Sequence, residues 1–261
     1  MPSTDGLRVL PVTGIGEVNP GADLVDLITG ALAPLDPDGH ALHDGDVVVV
    51  TQKVVSKAEG RLVPLDHTDP AAKAALVDEE SVRVLRRRGD LVISETRHGF
   101  VCANAGVDLS NVADGTAALL PDDPDRSARR LRAGLRRALN VDVGVIVSDT
   151  FGRAWRRGVT DVAIGCAGVA AVLDLRGTPD AGGRELQATE ICIADELASA
   201  ADLAMGKDRQ VPVAIVRGVP PGWLREGSVR AEVINRTHPD AEALPTRSGA
   251  RPTITGPGGT Q

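Results

Sequence analysis

The sequence predicts an α+β fold built on an irregular mixed sheet, and three observations point that way. Short β-branched runs alternate with amphipathic segments, so strands and helices share the chain. Those elements do not form a regular strand–helix series. Neither G-x-G-x-x-G nor G-x-x-x-x-G-K-[ST] follows a strand, which leaves a Rossmann or P-loop assignment without support.

Taken in order, residues 7–12 read as a strand and 22–33 as a helix with Leu24, Leu27 and Ile28 on one face. Residues 46–51, with four consecutive Val, form a core strand introduced by the Asp44-Gly45 turn. A long helix is expected over 70–88, capped by Asp69, opened by Pro70 and ended by Gly89. A strand follows over 91–93. Residues 124–139 repeat the helical logic, with Asp123 as cap and Leu131, Leu135 and Leu139 at four-residue spacing. The strand 141–147 runs directly into Ser148-Asp149-Thr150. Ile193, Leu197, Ala201 and Ala204 make the stripe of another helix ending at Gly206, and 211–216 is the last strand. Residues 1–239 are expected to form the folded domain. The Pro-, Thr- and Gly-rich 240–261 stretch has too little apolar surface to offset its ordering entropy and is expected to be a disordered tail.

With two Phe, two Trp and no Tyr, the core must be built from aliphatic side chains. A net charge of −7 argues against a general affinity for nucleic acid. The Arg86-Arg87-Arg88 and Arg129-Arg130 runs read as solvated faces of helices. Cys102, Cys166 and Cys192 are far apart in apolar surroundings and read as buried thiols of a reducing compartment. No basic-then-apolar leader opens the chain and no apolar run is long enough to span a bilayer, so a cytoplasmic protein without a membrane partner is expected.

Three polar clusters carry candidate chemistry. Asn104 to Asn111 places Asn, Asp108, Ser and Asn around a glycine; this suits a hard cation, or equally an Asx-rich turn held by its own side chains. Ser148-Asp149-Thr150 follows a buried strand, with Arg153, Arg156 and Arg157 close behind. The strand would fix a metal-binding carboxylate and the guanidinium groups would clamp phosphate or carboxylate. The alternative is a capping Asp beside a basic surface loop. Two acids on separate loops, Asp108 and Asp149, suit phosphoryl transfer. In the third cluster, Lys53 and Lys57 lie one helical turn apart, as phosphate-neutralising groups or as two solvated lysines. His98 reads as structural, and no Ser-His-Asp or Cys-His signature supports a nucleophilic hydrolase.

Together, GDVVVVTQKVVSKAEGR, CANAGVDLSNV, VIVSDTFGRAWRRGVTDVAIG and ADELASAADLAMGK with the later VPVAIVRG resemble the coenzyme F420-0:L-glutamate ligase family, in order over most of the chain. The resemblance implies an α+β fold peculiar to that family and a cytoplasmic, homodimeric, GTP-dependent ligase. Such enzymes add glutamate to the deazaflavin precursor F420-0, then extend it through γ-linkages. It further implies that Asp108 and Asp149 bind Mg2+ or Mn2+, with Thr150 serving a second divalent ion and K+ as a further ion. Asn111 would contact GTP, and Ile15, Gly16, Glu17, Val18, Gln52, Lys53 and Lys57 would complete the nucleotide site. Asp108, Asp149 and Lys57 would be the catalytic groups.

Two features depart from the family pattern. Some members place an acid after the Met-Gly that matches Met205-Gly206, whereas this chain has Lys207; its second metal site is then weaker, rearranged or replaced by the Lys charge. Some relatives also carry a C-terminal nitroreductase-like flavin domain, and this chain ends in a short polar tail instead. A stand-alone ligase is therefore expected. The alternatives are a nucleotide-binding subunit working with a separate flavin-domain partner, or an amide ligase for another carboxylate acceptor.

Overall fold

The computed structural model describes residues 6–33, 42–110 and 112–234. The first elements are β1 (Arg8–Val12), α1 (Leu24–Leu32), β2 (Val47–Thr51), α2 (Gln52–Ala58) and β3 (Leu62–Pro64). Next come α3 (Pro70–Glu79), β4 (Ser81–Arg88), β5 (Leu91–Thr96), β6 (Val101–Ala103) and β7 (Thr116–Ala118). The chain continues through α4 (Pro124–Leu139), β8 (Gly144–Gly152), β9 (Val159–Ala167), β10 (Leu173–Asp174) and β11 (Glu190–Ile191). It closes with α5 (Ile193–Met205), β12 (Val213–Arg217) and α6 (Val229–Glu232). Asn111 and the polar stretch 240–261 lie outside the described residues.

The architecture is α+β, as the patterning predicts. A five-stranded sheet runs in the order β1-β12-β2-β8-β9. Only β2 and β8 pair in parallel; the other three pairings are antiparallel. Val47 to Val50 are wholly buried, because β2 has strands on both edges and β-branched side chains on both faces. Helix α4 packs on β8 and β9, with α1 against it, while α5 crosses β1, β12 and β9. Glycine makes the α4 contact possible. A Cβ on Gly165 of β9 would sit 2.3 Å from the Pro124 carbonyl carbon, and one on Gly134 would sit 2.3 Å from Val25.

Helix α4 follows its sequence signals. Asp123 caps it by accepting the Arg126 N–H, Pro124 opens it, and Leu131 and Leu135 are buried, although Leu139 is exposed in the last turn. In α5, Ile193, Leu197 and Ala201 are buried and Gly206 ends the helix; Ala204 is only partly covered, and Met205 takes the buried position.

The expected helix over 70–88 is half right. Asp69 caps α3 and Pro70 opens it, but the helix stops at Glu79 and residues 81–88 form β4. Val82 and Val84 alternate at strand spacing, and pairing with β5 across the Gly89-Asp90 turn overrides any helical preference. Gly89, at φ 56°, therefore turns a hairpin and does not terminate a helix. The Arg86-Arg87-Arg88 run lies on this strand, though it is solvated as expected. Strands β4, β5 and β6 form a separate sheet, and β3 pairs with β7. Leu65, Val77, Val92, Val107 and Leu119 make a second, smaller core beneath them.

The strand expected over 141–147 starts later and runs further. It spans Gly144–Gly152, so Ser148, Asp149 and Thr150 lie inside β8 and not after it. The cause is β9, which continues the ladder to Val159 after a register shift between Val147 and Ser148. Strand β2 ends earlier, at Thr51 opposite Ser148. Beyond Ser148, β8 no longer has β2 on its edge.

Candidate active site

The parallel pair β2–β8 delivers the candidate residues at its carboxyl end, where open α/β sheets commonly bind ligands. Chain reversal after Thr51 into α2 sets Lys53 and Lys57 on successive turns. From the other side comes the 104–110 loop. Asn104, Ala105 and Gly106 all have positive φ, a sharp left-handed turn held in part by the Asn104 side chain accepting the Val92 N–H. A Cβ on Gly106 would lie 2.7 Å from Leu120, so only glycine lets the loop settle there.

Asp108 leaves that turn to meet Lys53. The Lys53 ammonium is 2.8 Å from Asp108 Oδ2 and donates to Ser110 Oγ at 2.8 Å. Asp108 Oδ1 also accepts the Ser110 N–H and hydroxyl, at 2.7 and 2.8 Å. The Asx turn anticipated as an alternative is therefore present. It coexists with a partly exposed carboxylate facing a cation. Burial works to raise the Asp108 pKa, but Lys53 and Ser110 outweigh it and hold the group below the ordinary carboxylate range.

Lys57 is buried and pairs with Glu17, which is largely exposed. Gly16 is exposed with Glu17, whereas the side chains of Ile15 and Val18 are buried in the main core. Gln52 also points inward, where its amide donates to Ser56 Oγ at 2.6 Å and to the Leu119 carbonyl at 3.0 Å. Of the predicted nucleotide residues, the structure thus joins Lys53 to Asp108 and Lys57 to Glu17, and it places Ile15, Val18 and Gln52 beneath them as support. Asn111 lies outside the described residues.

Strand alternation splits the β8 cluster. Ser148 and Thr150 share a face, and both hydroxyls donate to Asp161 of β9, at 2.9 and 2.6 Å. Lys207, just past α5, donates to Thr150 Oγ1 and lies 3.3 Å from Asp161 Oδ1 and 3.8 Å from Asp202 Oδ1. Asp149 points to the opposite face. Among the described residues no side-chain cation pairs with its carboxylate. Burial, then the neighbouring Asp108 and Asp161 charges, push its pKa up to about 7 against the pull of the Thr150 N–H and Lys207.

A hard divalent cation fits the Asp108–Asp149 pair. Both donors are carboxylates, they repel one another, and among the described residues no side-chain cation pairs with Asp149. Among the described residues no three His, Cys, Asp or Glu side chains converge as a cage. A Mg2+-like ion held by one or two carboxylates and completed by substrate phosphates would not need such a cage. The fit is poorer at Thr150, whose hydroxyl is already engaged by Asp161 and Lys207.

The family model for F420-0:gamma-glutamyl ligase matches residues 14–218. The chain belongs to that family. It is 42% identical over 241 residues to the coenzyme F420:L-glutamate ligase of Methanothermobacter thermautotrophicus, covering 86% of this chain and 94% of the relative. The ligase of the same name from Methanopyrus kandleri is 44% identical over 247 residues, covering 88% and 95%. That from Archaeoglobus fulgidus is 40% identical over 228 residues, covering 82% and 88%.

Within this F420-0:gamma-glutamyl ligase fold, Arg153, Arg156 and Arg157 crown the β8–β9 hairpin around a fully exposed Trp155. Among the described residues none of the three Arg makes an ion pair. His98 is buried, stacks on Phe100 and meets the Pro121 carbonyl at 2.9 Å, while its Nδ1 has no hydrogen-bond partner among the described residues. The three cysteines are unpaired thiols, and burial pushes the Cys102 and Cys192 pKa values up to about 12. Sequence reasoning missed Asp161. Its signal was a lone acid at the head of the apolar run Val162 to Ala167, where a strand would bury it. No helix among the described residues is long and apolar enough to cross a membrane.

Proposed function

We propose that this chain is a GTP-dependent ligase that joins L-glutamate to coenzyme F420-0 in F420 biosynthesis, through an acyl phosphate. One observation carries the reading: Lys53 pairs with Asp108 at the carboxyl end of β2–β8, with Asp149 close enough to feel the Asp108 charge, in a chain whose relatives bear the name coenzyme F420:L-glutamate ligase.

In the proposed reaction a carboxylate oxygen of F420-0 attacks the γ-phosphorus of GTP, and the bond from that phosphorus to the β-phosphate bridging oxygen breaks. The glutamate amine then attacks the acyl carbon; phosphate leaves and the nitrogen gives up a proton. A Mg2+ or Mn2+ ion at Asp108 and Asp149 supplies charge neutralisation on the phosphates. Lys53 adds a positive charge beside that position, and Asp108 holds it there. Lys57 is oriented by Glu17 and can exchange that carboxylate for a phosphate as nucleotide binds. Arg153, Arg156 and Arg157 are placed to clamp a substrate carboxylate bidentately. The proposal includes a homodimer, for which exposed Val82, Leu85 and Val101 on the β4–β6 sheet offer apolar surface.

The test is mass spectrometry of F420-0 incubated with the chain, GTP, Mn2+ and glutamate, beside Asp149→Asn. Added glutamate masses that disappear with the variant support the reading. No mass shift with folded protein and authentic substrate would sink it, and would favour another acceptor or a required flavin-domain partner.

A further inference from the structure

We propose that Lys207 is a tethered cation that fills the second cation position of the site, so that this chain binds one divalent ion where the Asp108–Asp149 and Thr150–Asp161 positions would otherwise take two. The inference rests on the proposed metal-binding role of Asp108 and Asp149 and extends it.

The geometry has three parts. First, β8 separates two acidic positions, because Asp149 leaves one face of the strand while Ser148 and Thr150 leave the other. Second, the Thr150 side is a built receptor for positive charge. Asp161 is 1% exposed and fixed by two hydroxyl donors, and Asp202 on α5 lies close enough to share the same ammonium. Two hydroxyl donors alone leave the charge of such a buried carboxylate unbalanced, and a cation beside it lowers that cost. Third, the chain supplies it covalently. Gly206 ends α5 at φ 65° and turns the backbone so that Lys207 reaches Thr150, Asp161 and Asp202 together. An ammonium brings one positive charge and three donors. It therefore balances Asp161 and occupies the oxygen atoms that a second metal ion would need.

A tethered cation differs from a metal ion in one functional respect: it cannot dissociate. Turnover should then depend on free Mn2+ through a single class of site, and metal chelation should leave Asp161 still neutralised.

Equilibrium dialysis of the full chain against Mn2+, with bound ion counted by electron paramagnetic resonance, tests this directly. We expect about one Mn2+ per chain for the wild type and about two for Lys207→Glu, with a spin-coupled signal appearing only in the variant. Lys207→Gln, which removes the charge without adding one, should also gain the second ion more weakly, and it serves if the Glu variant does not fold. Asp149→Asn should lose the wild-type ion while Lys207→Glu with Asp149→Asn keeps one. Two ions on the wild type, or one on both Lys207 variants, would overturn the proposal. No ion on folded wild type would instead refute the Asp108–Asp149 metal reading beneath it.

Discussion

The two ends of strand β2 treat acidic side chains in opposite ways. At its start, Asp46 is 1% exposed yet fully satisfied. Arg217 grips both its oxygens, at 2.9 and 2.7 Å, and the His43 N–H donates at 2.8 Å. Asp125 on α4 is of the same kind, taking the N–H groups of Cys166, Val229 and Arg230 and the Ser228 hydroxyl. At the carboxyl end, no side-chain cation among the described residues pairs with Asp149, which has two acidic neighbours. A buried acid with all its partners locks elements together, whereas a partly buried one beside other acids is free to take up a ligand's charge.

Exchanging the roles of the two ends should show this most strongly at Asp149. Asp149→Asn should lower glutamate ligation at least about a thousandfold, roughly 4 kcal/mol of activation energy, while the folded chain remains intact by circular dichroism. Arg217→Ala should do the reverse: it strands Asp46 and should cost about 3–5 kcal/mol in urea unfolding, with the surviving folded fraction still turning over. A chain that loses activity but no stability in both variants would erase the distinction.

The pH dependence sharpens it further. The folded-state pKa of Asp149, about 7, stands above the ordinary aspartate value of 3.8, so between those values the folded chain holds a proton the unfolded chain has released. Stability of the metal-free protein should fall as pH rises through that window, on the order of 4 kcal/mol in all, and level off above it. Asp149→Asn should remove this dependence, and Mn2+ at pH 8 should restore what the wild type lost. Melting curves at pH 5 and pH 8, with and without Mn2+, read all three effects. The smallest change is expected from Arg157→Ala, which should raise the apparent KM for glutamate by up to about tenfold and leave kcat nearly unchanged. An unmoved KM removes Arg157 from substrate binding.

Much of this was legible in sequence because the decisive signals are local. Four consecutive Val specify a buried strand, and Asp123-Pro124 and Met205-Gly206 mark helix ends. Asp108, Asp149 and Lys53 stand out because they interrupt apolar or glycine-bearing stretches, and the structure brings Lys53 to Asp108. Long-range pairing was not legible. Residues 81–88 satisfy a solvated helix as well as an edge strand, and only the β5 partner decides. The same holds for Asp161, whose importance comes from Ser148 and Thr150 on the neighbouring strand and from Lys207 at the end of a distant helix.

The single parallel pairing in the main sheet also has a kinetic consequence. Strand β2 emerges early in synthesis, yet its neighbours β8 and β12 are Gly144–Gly152 and Val213–Arg217, so both of its edges wait for most of the chain. Until then Val47 to Val50 form an uncharged, β-branched segment of the sort that self-associates. Such non-local closure makes for slow folding with aggregation-exposed intermediates. The strand that leads into Lys53 and Lys57 is thus also one that a nascent chain must shield until late.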